Sequence, residues 1–246
     1  MSDLFSLAGR VALVTGSARG LGFAMAAALA EHGARVYLNG RDQAALEARR
    51  AELQARGLRV NVSAFDITDE AASDAAIASV AEAEGRLDIL VNTVGPRLRR
   101  PIEEISSEGL RAMLDAHVVA PMRMAKQAAE QMKPNGYGRI IMVSSVAGLR
   151  GLPNDAAYSA AKGAVLSMTR SLAVEFGRFG ITCNTLVPGR FLTESNSSSD
   201  RPARGPLARW GEPSEIGGAC VFLASPAASY VTAVALPVDG GVSNAF

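Results

Sequence analysis

Short apolar, β-branched runs alternate along this chain with longer alanine-rich segments. The runs cover residues 10–16, 34–40, 58–66, 87–93, 138–145, 181–189 and 233–241. The segments between them predict helices over residues 20–32, 42–56, 69–84, 106–133, a stretch that includes 156–165, and 212–225. Apolar strands that alternate with helices form βαβ units, in which a parallel sheet is covered on both faces. Because no linker rich in Gly, Ser or Pro interrupts the pattern, we expect residues 1–246 to form one doubly wound α/β domain with a central parallel sheet of about seven strands.

The overall composition excludes several classes of function. Hydrophobic residues make up 48% of the chain, and the formal net charge is +1, so no global field would attract nucleic acid or an anionic membrane. No run approaches the ~18 uncharged apolar residues of a membrane helix, and the start of the chain lacks a secretory signal pattern. We therefore expect a cytoplasmic protein without nucleic-acid or membrane partners.

Residues that bind metals or form disulfides are scarce. The only histidines are His32 and His117, and no group of residues has metal-ligand spacing, so no metal site is predicted. Cys183 and Cys220 are far apart in the sequence and lie in apolar surroundings. We interpret them as two buried free thiols, with a disulfide as the alternative.

The segment VTGSARGLG, residues 14–22, joins the first predicted strand to the first helix. Its glycines, Gly16, Gly20 and Gly22, permit a tight turn and a close approach to a pyrophosphate, and the helix N-terminus offers free N–H groups. The spacing is T-G-x-x-x-G-x-G rather than G-x-G-x-x-G, and a glycine turn before a helix can also be purely structural. We favour dinucleotide binding.

The end of the second strand indicates which dinucleotide binds. A site that prefers NAD usually has an acidic residue there, which accepts from the ribose 2′-hydroxyl. This chain has Asn39 and Arg41 instead, and Arg19 in the glycine loop can approach the same pocket. Guanidinium groups without a carboxylate favour a 2′-phosphate, so we expect NADP(H) to be preferred, with NAD(H) as the alternative. Asp66, after the third strand, is a candidate acceptor for the adenine amino group, or else a turn residue.

Tyr158 and Lys162 lie four residues apart in AAYSAAKGAV, residues 156–165, and therefore share a helix face. A nearby ammonium stabilises a phenolate and lowers the pKa of the tyrosine, which can then exchange a proton with a carbonyl or alcohol oxygen. This pair alone is a weak motif, because helices contain it by chance. Ser145, at the end of the preceding strand, adds a hydroxyl that can hydrogen-bond a substrate oxygen. Together with the glycine loop, these residues predict an oxidoreductase that interconverts a ketone and a secondary alcohol by hydride transfer.

Nearly the whole chain resembles the short-chain dehydrogenase/reductase family, particularly its members that are similar to gluconate 5-dehydrogenase and to 3-oxoacyl-carrier-protein reductase. The matching motifs are TGSARGLG, FDITD at 65–69, NTVG at 92–95, SSVAG at 144–148, YSAAK at 158–162, PGRFLT at 188–193 and VDGG at 238–241. The resemblance implies a Rossmann-type fold and a homotetramer or homodimer. It also implies that Ser145 orients the substrate carbonyl, that Tyr158 is the general acid/base, and that Lys162 holds the nicotinamide ribose.

The same resemblance assigns the contacts to the cofactor. The implied cofactor-binding residues are Gly16, Ser17, Arg19, Gly20, Leu21, Gly22, Asn39, Arg41, Asp66, Ile67, Asn92, Gly95, Tyr158, Lys162, Pro188, Gly189 and Thr193. Within this set, Pro188, Gly189 and Thr193 would hold the nicotinamide carboxamide.

The chain departs from the family pattern at three places. His117 replaces the usual asparagine, which holds a proton-relaying water; an imidazole titrates near neutrality and can do a similar job, or the residue has no role. NTVG replaces N-N-A-G. The segment at about 190–209, which we interpret as a mobile substrate loop with plain disorder as the alternative, is short for the family. His117 and this short loop leave an alternative function, a catalytically weak or inactive dinucleotide-binding protein with a sensor or assembly role.

An arginine-rich segment, PRLRRP at residues 96–101, follows the fourth strand near the expected substrate entrance. Arg97, Arg99 and Arg100 suit a carboxylate or phosphate group, and Arg97 is the first candidate substrate contact. The alternative is a solvated loop. We therefore predict a small-molecule carbonyl or alcohol substrate, and leave open whether it is anionic.

Overall fold

The computed structural model describes residues 4–95, 99–194 and 205–244. The strands in these ranges are β1 Val11–Val14, β2 Arg35–Gly40, β3 Val60–Ala64, β4 Ile89–Asn92, β5 Gly138–Val143, β6 Ile181–Pro188 and β7 Ala235–Val238. They form one sheet in the order β3-β2-β1-β4-β5-β6-β7, and all neighbouring strands are parallel. The predicted seven-stranded parallel sheet is confirmed, although each strand is shorter than the apolar run that predicted it.

The α-helices of the described residues are α1 Gly20–Glu31, α2 Gln43–Gln54, α3 Glu70–Glu84, α4 Ser107–Leu114, α5 Ala120–Met132, α6 Ala156–Phe176 and α7 Pro213–Ala224. One prediction needs correction, because residues 106–133 do not form a single helix. A π-helical segment, Asp115–Val119, separates α4 from α5. Pro121, in the first turn of α5, has no N–H to donate to the preceding turn, which favours a wider turn at this point.

The buried residues form two hydrophobic cores, and successive residues of a strand pack in different ones. Ala12 and Val14 of β1 pack in a cluster with α1 and α7, whereas Val11 and Leu13 pack in a second cluster with α5 and α6. Successive side chains of a strand point to opposite faces, so this division shows that helices cover both faces of the sheet. The doubly wound architecture predicted from the apolar runs is confirmed.

Small residues allow the helices to approach one another closely. A Cβ added to Gly217 of α7 would lie 2.7 Å from the Cβ of Ala28 in α1. Side-chain caps fix where other helices begin: Asp42 accepts from the N–H of Ala45 at 3.0 Å, at the start of α2. Each helix that directly follows a strand of this parallel sheet starts at its carboxyl edge, with the positive end of the helix beside any ligand bound there.

The strand order reverses direction between β1 and β4. At such a switch point the connections leave in opposite directions and open a crevice at the carboxyl edge of the sheet, where ligands bind in this type of fold. The ends of β1, β4, β5 and β6 and the segments that follow them carry most of the predicted site residues, and the rest lie at or after β2 and β3.

Cys183 and Cys220 are both buried and free. Burial in apolar surroundings raises the pKa of each thiol to about 12, so both are unreactive. This confirms the interpretation as buried thiols and excludes the disulfide. No helix in the described part of the chain is both long and apolar enough to cross a membrane.

Candidate active site

The glycine loop between β1 and α1 is an open, backbone-lined cradle. Gly16 and Gly20 have φ of +62° and +56°, which L-residues rarely adopt. A Cβ on Gly22 would overlap the carbonyl group of Gly16, so only glycine permits this close turn. Thr93 ties the loop to the end of β4, since its hydroxyl donates to the carbonyl of Thr15 at 2.7 Å. These features fit a pyrophosphate, which needs close approach to backbone N–H groups.

A carboxylate already occupies this end of α1. Glu194 accepts a hydrogen bond from the N–H of Gly20 at 3.2 Å and pairs with Arg49 at 3.2 Å. Arg49 also donates to the carbonyl of Ala18 within the glycine loop at 3.1 Å. An N–H at this helix N-terminus therefore donates to an anionic oxygen in this structure, which supports its fit to the pyrophosphate of a dinucleotide. Neither Arg49 nor Glu194 was identified from the sequence, because no motif links residues 145 positions apart.

Asn39, predicted to contact the cofactor, is fully buried. Its side-chain amide donates to the carbonyls of Ser63 and Phe65 at 3.0 and 3.1 Å, so the side chain joins β2 to β3. Its backbone carbonyl accepts from the N–H of Ser17 at 2.9 Å and thereby supports the glycine loop. The structure places Asn39 beneath the nucleotide end of the site, as part of its scaffold.

Exposed guanidinium groups lie at the nucleotide end. Arg41 follows β2 directly, and its side chain is 80% exposed. Its Nη1 lies 3.6 Å from the carboxylate of Asp66, which also accepts from the N–H and hydroxyl of Thr68. The bonds from Thr68 and the charge of Arg41 lower the pKa of Asp66, so this acceptor is ionised at neutral pH. Arg19, in the glycine loop, is also exposed.

The segment after β4 is shaped around an imidazole. Gly95 has φ of +156°, and a Cβ placed on it would fall inside the ring of His117. His117 is 2% exposed and lies in the π-helical segment Asp115–Val119. Its ring makes an edge-to-face contact with Tyr158, with ring centroids 5.5 Å apart and an interplanar angle of 81°. The structure thus brings Gly95, His117 and Tyr158 together.

Lys162 and Tyr158 lie at the end of β5, the strand that Ser145 follows. Ser145 follows this strand, and its hydroxyl accepts from the N–H of Ala147 at 3.2 Å, which starts a short 3₁₀ turn. Tyr158 and Lys162 share a face of α6, with Nζ 5.8 Å from the centre of the phenol ring. The i, i+4 spacing predicted that they are neighbours, and the geometry agrees with that prediction.

Lys162 is 4% exposed, and its Nζ donates to the carbonyl of Val143 at 2.8 Å. Burial lowers its pKa from 10.5 to about 7. The helix is held against β5 at this point, since the hydroxyl of Ser144 donates to the carbonyl of Lys162 at 2.8 Å. A Cβ on Gly148 would lie 2.8 Å from the same carbonyl oxygen, so this glycine permits the close packing. Lys162 is therefore fixed in position with a pKa close to neutrality.

The segment after β6 returns to the glycine loop. The N–H of Gly189 donates to the carbonyl of Val238 at 3.0 Å, and a Cβ on Gly189 would lie 2.7 Å from the backbone of Asp239. Thr193 lies beside the glycine loop, with its methyl 3.8 Å from a Cβ added to Gly20. Residues after β1 and after β6 therefore border the same crevice.

Some predicted residues lie elsewhere or outside the described residues. Arg97 and residues 195–204 of the predicted substrate loop are outside them. Arg99, a second arginine of the same segment, forms a bidentate pair with Asp155 at 3.1 and 2.8 Å. Asn92 is buried at the end of β4, where its side-chain amide approaches the carbonyl of Pro121 at 3.4 Å. No group of three or more potential metal ligands occurs among residues 4–95, 99–194 and 205–244.

A cavity of about 120 Å³ lies beside the ends of β6 and β7. It is lined by Arg190, Phe191, Leu207, Arg209, Gly211, Glu215, Val238, Asp239 and Gly240. Arg209 is paired there with Glu215 through two hydrogen bonds of 2.7 Å. Because this cavity does not include Ser145 or Tyr158, we do not take it as the place of reaction.

Comparison with known proteins agrees with this geometry. A family model described as enoyl-(acyl carrier protein) reductase matches residues 16–243. Gluconate 5-dehydrogenase of Gluconobacter oxydans (strain 621H) is 39% identical over 249 residues, which cover 98% of this chain and 97% of that protein. The chain belongs to the short-chain dehydrogenase/reductase family. The resemblance inferred from its motifs is confirmed.

Two further relatives extend the comparison within this family. The 5-keto-D-gluconate 5-reductase of Escherichia coli (strain K12) is 33% identical over 250 residues, covering 98% of each protein. The crystal structure of a gluconate 5-dehydrogenase from Burkholderia cenocepacia J2315, in complex with NADP and tartrate, matches with a TM-score of 0.94. Its sequence is 35% identical, and the match covers 99% of both chains.

As a short-chain dehydrogenase/reductase, the chain is an NAD(P)-dependent oxidoreductase that interconverts a ketone and a secondary alcohol by hydride transfer. The alternative of an inactive dinucleotide-binding protein is not favoured, because the relatives are dehydrogenases and reductases along the whole chain. The relatives also act on small molecules, which agrees with the predicted substrate type.

Proposed function

We propose that this protein uses NADP(H) to interconvert a keto group and a secondary alcohol on a small sugar acid of the gluconate type. The observation that carries the proposal is the convergence of Tyr158, buried Lys162 and His117, together with a glycine loop whose Gly20 N–H donates to an anionic oxygen. The relatives named for gluconate and 5-keto-D-gluconate support the substrate class.

In this proposal Tyr158 is the general acid/base. Its phenol donates a proton to the carbonyl oxygen in reduction and accepts one from the alcohol in oxidation. Ser145 hydrogen-bonds the same oxygen and stabilises its developing charge. Lys162 binds the cofactor's ribose and favours the phenolate of Tyr158 by its charge. The nicotinamide, when bound, supplies or accepts the hydride.

His117 is proposed as the proton relay in place of the usual asparagine. Its buried ring contacts Tyr158, and imidazole exchanges protons near neutral pH. A residue without a role remains the alternative. Replacing His117 with Asn decides between them, because a relay predicts a change in the pH dependence of kcat and a passive residue predicts none.

The preference for NADP(H) over NAD(H) is proposed from charge. Arg19 and Arg41 are exposed cations beside the glycine loop and β2, where a 2′-phosphate would lie. The remaining contacts predicted for the cofactor, from Asp66 and Ile67 to Asn92, Gly95, Pro188, Gly189 and Thr193, are part of the same proposal.

Several predictions from the sequence are carried forward here. We propose one domain over residues 1–246, with 190–209 as the substrate loop and Arg97 as a contact for an anionic substrate. A homotetramer or homodimer is supported by large apolar side chains exposed on α4, the π-helical segment, α5 and α6, namely Leu110, Val119, Met122 and Val174. The cytoplasmic location stays a prediction.

The test is consumption of NADPH and NADH over a panel of 5-keto-gluconate, other keto acids and uncharged keto sugars. We expect turnover with NADPH and a keto sugar acid. Tyr158→Phe should lower kcat by a factor on the order of 10²–10⁴. Tyr230→Phe, at a fully exposed tyrosine, is the control. Full activity of Tyr158→Phe would contradict the mechanism, and faster turnover of the uncharged sugars would contradict the substrate class.

A further inference from the structure

The loop after β4 is hydrogen-bonded to the start of α6, the helix that contains Tyr158 and Lys162. Arg99 holds Asp155 through Nε–Oδ1 and Nη2–Oδ2 bonds of 3.1 and 2.8 Å. The N–H of Arg100 also donates to the carbonyl of Asn154 at 2.9 Å. The side chain of Asp155 is fully buried, and that of Arg99 is 35% exposed. Two charge-assisted bonds to a buried carboxylate make this a firm connection.

Asp155 has an unusual position for a paired carboxylate. It is the residue that precedes α6, where aspartate normally caps free N–H groups, yet its side chain makes no capping bond there. Instead the carboxylate binds Arg99. Tyr158 follows three residues later, about one helical turn along α6. Because the two residues are about one turn apart, we expect a charge on Asp155 to act on the phenol.

Asp155 and Arg99 have opposite effects on the ionisation of Tyr158. A buried carboxylate disfavours the phenolate, and a guanidinium favours it. The pKa of Arg99 is raised by its hydrogen bond to Asp155 and by the negative charges of Asp155 and Tyr158. The guanidinium of Arg99 is thus close enough to interact with the phenolate as well as with the carboxylate.

The elements near Tyr158 contribute further charged and titratable groups. In addition to the Arg99–Asp155 pair, these groups are Lys162, His117, Asp115, Glu108 and Arg111. Asp115, Glu108 and Arg111 are exposed, so water screens their charges. Lys162 and the Arg99–Asp155 pair remain as the charges that are shielded from water, and the ring of His117 contacts the phenol directly.

We infer that Arg99 is a positioning residue for the reaction: it fixes the start of α6 and neutralises Asp155, so that the carboxylate does not oppose ionisation of Tyr158. The inference rests on the proposed role of Tyr158 as general acid/base. It gives Arg99 a different task from the substrate contact considered for the arginines of residues 96–101.

A second arginine–aspartate pair of similar exposure provides a control, in which Asp88 is also bonded to Arg10 at 3.0 Å. Arg86 donates to Asp88 from Nε at 2.7 Å and from Nη2 at 2.5 Å. Its side-chain exposures, 33% for Arg86 and 0% for Asp88, nearly equal those of the first pair. Asp88 lies just before β4, at the amino edge of the sheet, opposite to the active site. Arg86→Met therefore removes the same kind of bond without changing charge near Tyr158.

The first experiment measures the ionisation of Tyr158 directly and needs no substrate. Tyrosinate absorbance near 295 nm is titrated in each variant, and the same titration of its Tyr158→Phe derivative is subtracted. Arg99→Met should raise the pKa of Tyr158 by about one unit, because Asp155 is still ionised in that pH range. Arg86→Met should leave it unchanged. An unchanged pKa in Arg99→Met overturns the inference.

Two further variants separate charge from structure. Arg99→Met combined with Asp155→Asn should restore the wild-type pKa of Tyr158, since neither charge is then present. Arg99→Lys should stay near the wild-type pKa, because it keeps a positive charge beside Asp155. Arg99→Gln, which removes that charge, serves in place of Arg99→Met if that protein does not fold. Equal shifts in Arg99→Met and in the double variant would indicate a purely structural role and overturn the charge argument.

The kinetic experiment uses the pH dependence of kcat/KM for alcohol oxidation. Its rising limb should move to higher pH by about one unit in Arg99→Met and return in the double variant. Absence of turnover in the wild-type protein would count against the proposed function, whereas wild-type turnover with an unmoved limb in Arg99→Met would count against this inference alone.

Discussion

At the proposed nucleotide end of the site Arg19 and Arg41 are exposed, whereas Lys162 at the proposed reacting end is buried. The side chain of Arg41 is 80% exposed, while Lys162 is 4% exposed and has its pKa lowered to about 7. A phosphate group carries its own charge, so exposed guanidinium groups suffice to select it. Proton transfer requires a shifted pKa, and burial produces that shift. The comparison predicts that substitutions at the reacting end change rates, and those at the nucleotide end change affinities.

Lys162→Met should have the largest effect. Loss of the ammonium should lower kcat by a factor on the order of 10²–10⁴, since Tyr158 would lose the charge that favours its phenolate. Lys126→Met, at an exposed lysine, is the matched control. Steady-state kinetics with saturating NADPH measures the effect. A fall in NADPH affinity alone, with kcat unchanged, would contradict the division between the two ends.

The same variant has a predicted effect on stability without cofactor. The pKa of Lys162 is about 7 in the folded chain and near 10.5 when unfolded, so the unfolded chain binds more protons between these values. Stability of the wild type therefore rises from pH 7 towards pH 10, and the penalty of burial is complete below pH 7. Lys162→Met should melt several degrees higher at pH 6, and the difference should shrink as the pH rises. If the difference in melting temperature between Lys162→Met and the wild type is the same at pH 6 and at pH 10, the lysine does not titrate in this range.

Gly22→Ala should disrupt the glycine loop through steric overlap, without a change in charge. The new methyl would overlap the carbonyl of Gly16, so the loop must shift. We expect a loss of about 1–3 kcal/mol in stability and a large loss of NADPH affinity. Gly218→Ala on α7, where an added Cβ has nothing within 4 Å, should be neutral or stabilising. Thermal melting and fluorescence titration with NADPH measure both effects, and wild-type affinity in Gly22→Ala would place the cofactor elsewhere.

Arg19→Ala and Arg41→Ala should each raise KM for NADPH by about tenfold and leave KM for NADH unchanged. A charge-assisted hydrogen bond contributes about 1.5–3 kcal/mol, and 1.4 kcal/mol corresponds to a factor of ten. Arg56→Ala, at an exposed arginine paired with Glu31, is the control. If KM rises equally for NADPH and for NADH, these arginines do not bind a 2′-phosphate.

Glu194→Gln should have the smallest effect and the opposite sign. The carboxylate of Glu194 accepts from the Gly20 N–H that a pyrophosphate needs, so its neutralisation should tighten NADPH binding by about two- to fivefold. Glu52→Gln removes the other carboxylate bonded to Arg49, at 2.8 Å, and should leave the affinity unchanged. Calorimetric titration separates the two variants. Weaker binding in Glu194→Gln would mean that this residue assists the cofactor.

The parts of the molecule that follow local patterns could be predicted from the sequence. The seven strands were visible because residues such as Val11 and Leu13 alternate with Ala12 and Val14, and both sets are apolar in a sheet that is covered on two faces. The neighbouring positions of Tyr158 and Lys162 followed from helix geometry alone.

Contacts between distant segments could not be predicted in this way. Arg99 and Asp155 are 56 residues apart, and their pairing depends on where the loop after β4 meets α6. The inward direction of the Asn39 side chain depends on free carbonyls of β3, which the sequence does not reveal. The π-helical segment was also missed, because its apolar pattern does not differ clearly from that of an α-helix.

That π-helical segment limits how the chain can change in length. Each residue turns an α-helix by about 100°, and a π turn contains about one residue more than an α turn. Deleting one residue from Asp115–Val119 would replace the π turn with an α turn, so α4 would keep its orientation relative to α5 and Met113 would stay buried. The side chains within the turn would be redistributed, and His117 would lose its place against Tyr158. A deletion at these five positions should therefore preserve the packing of the two helices and act on the active site, whereas a deletion within α4 or α5 would rotate one helix by about 100°.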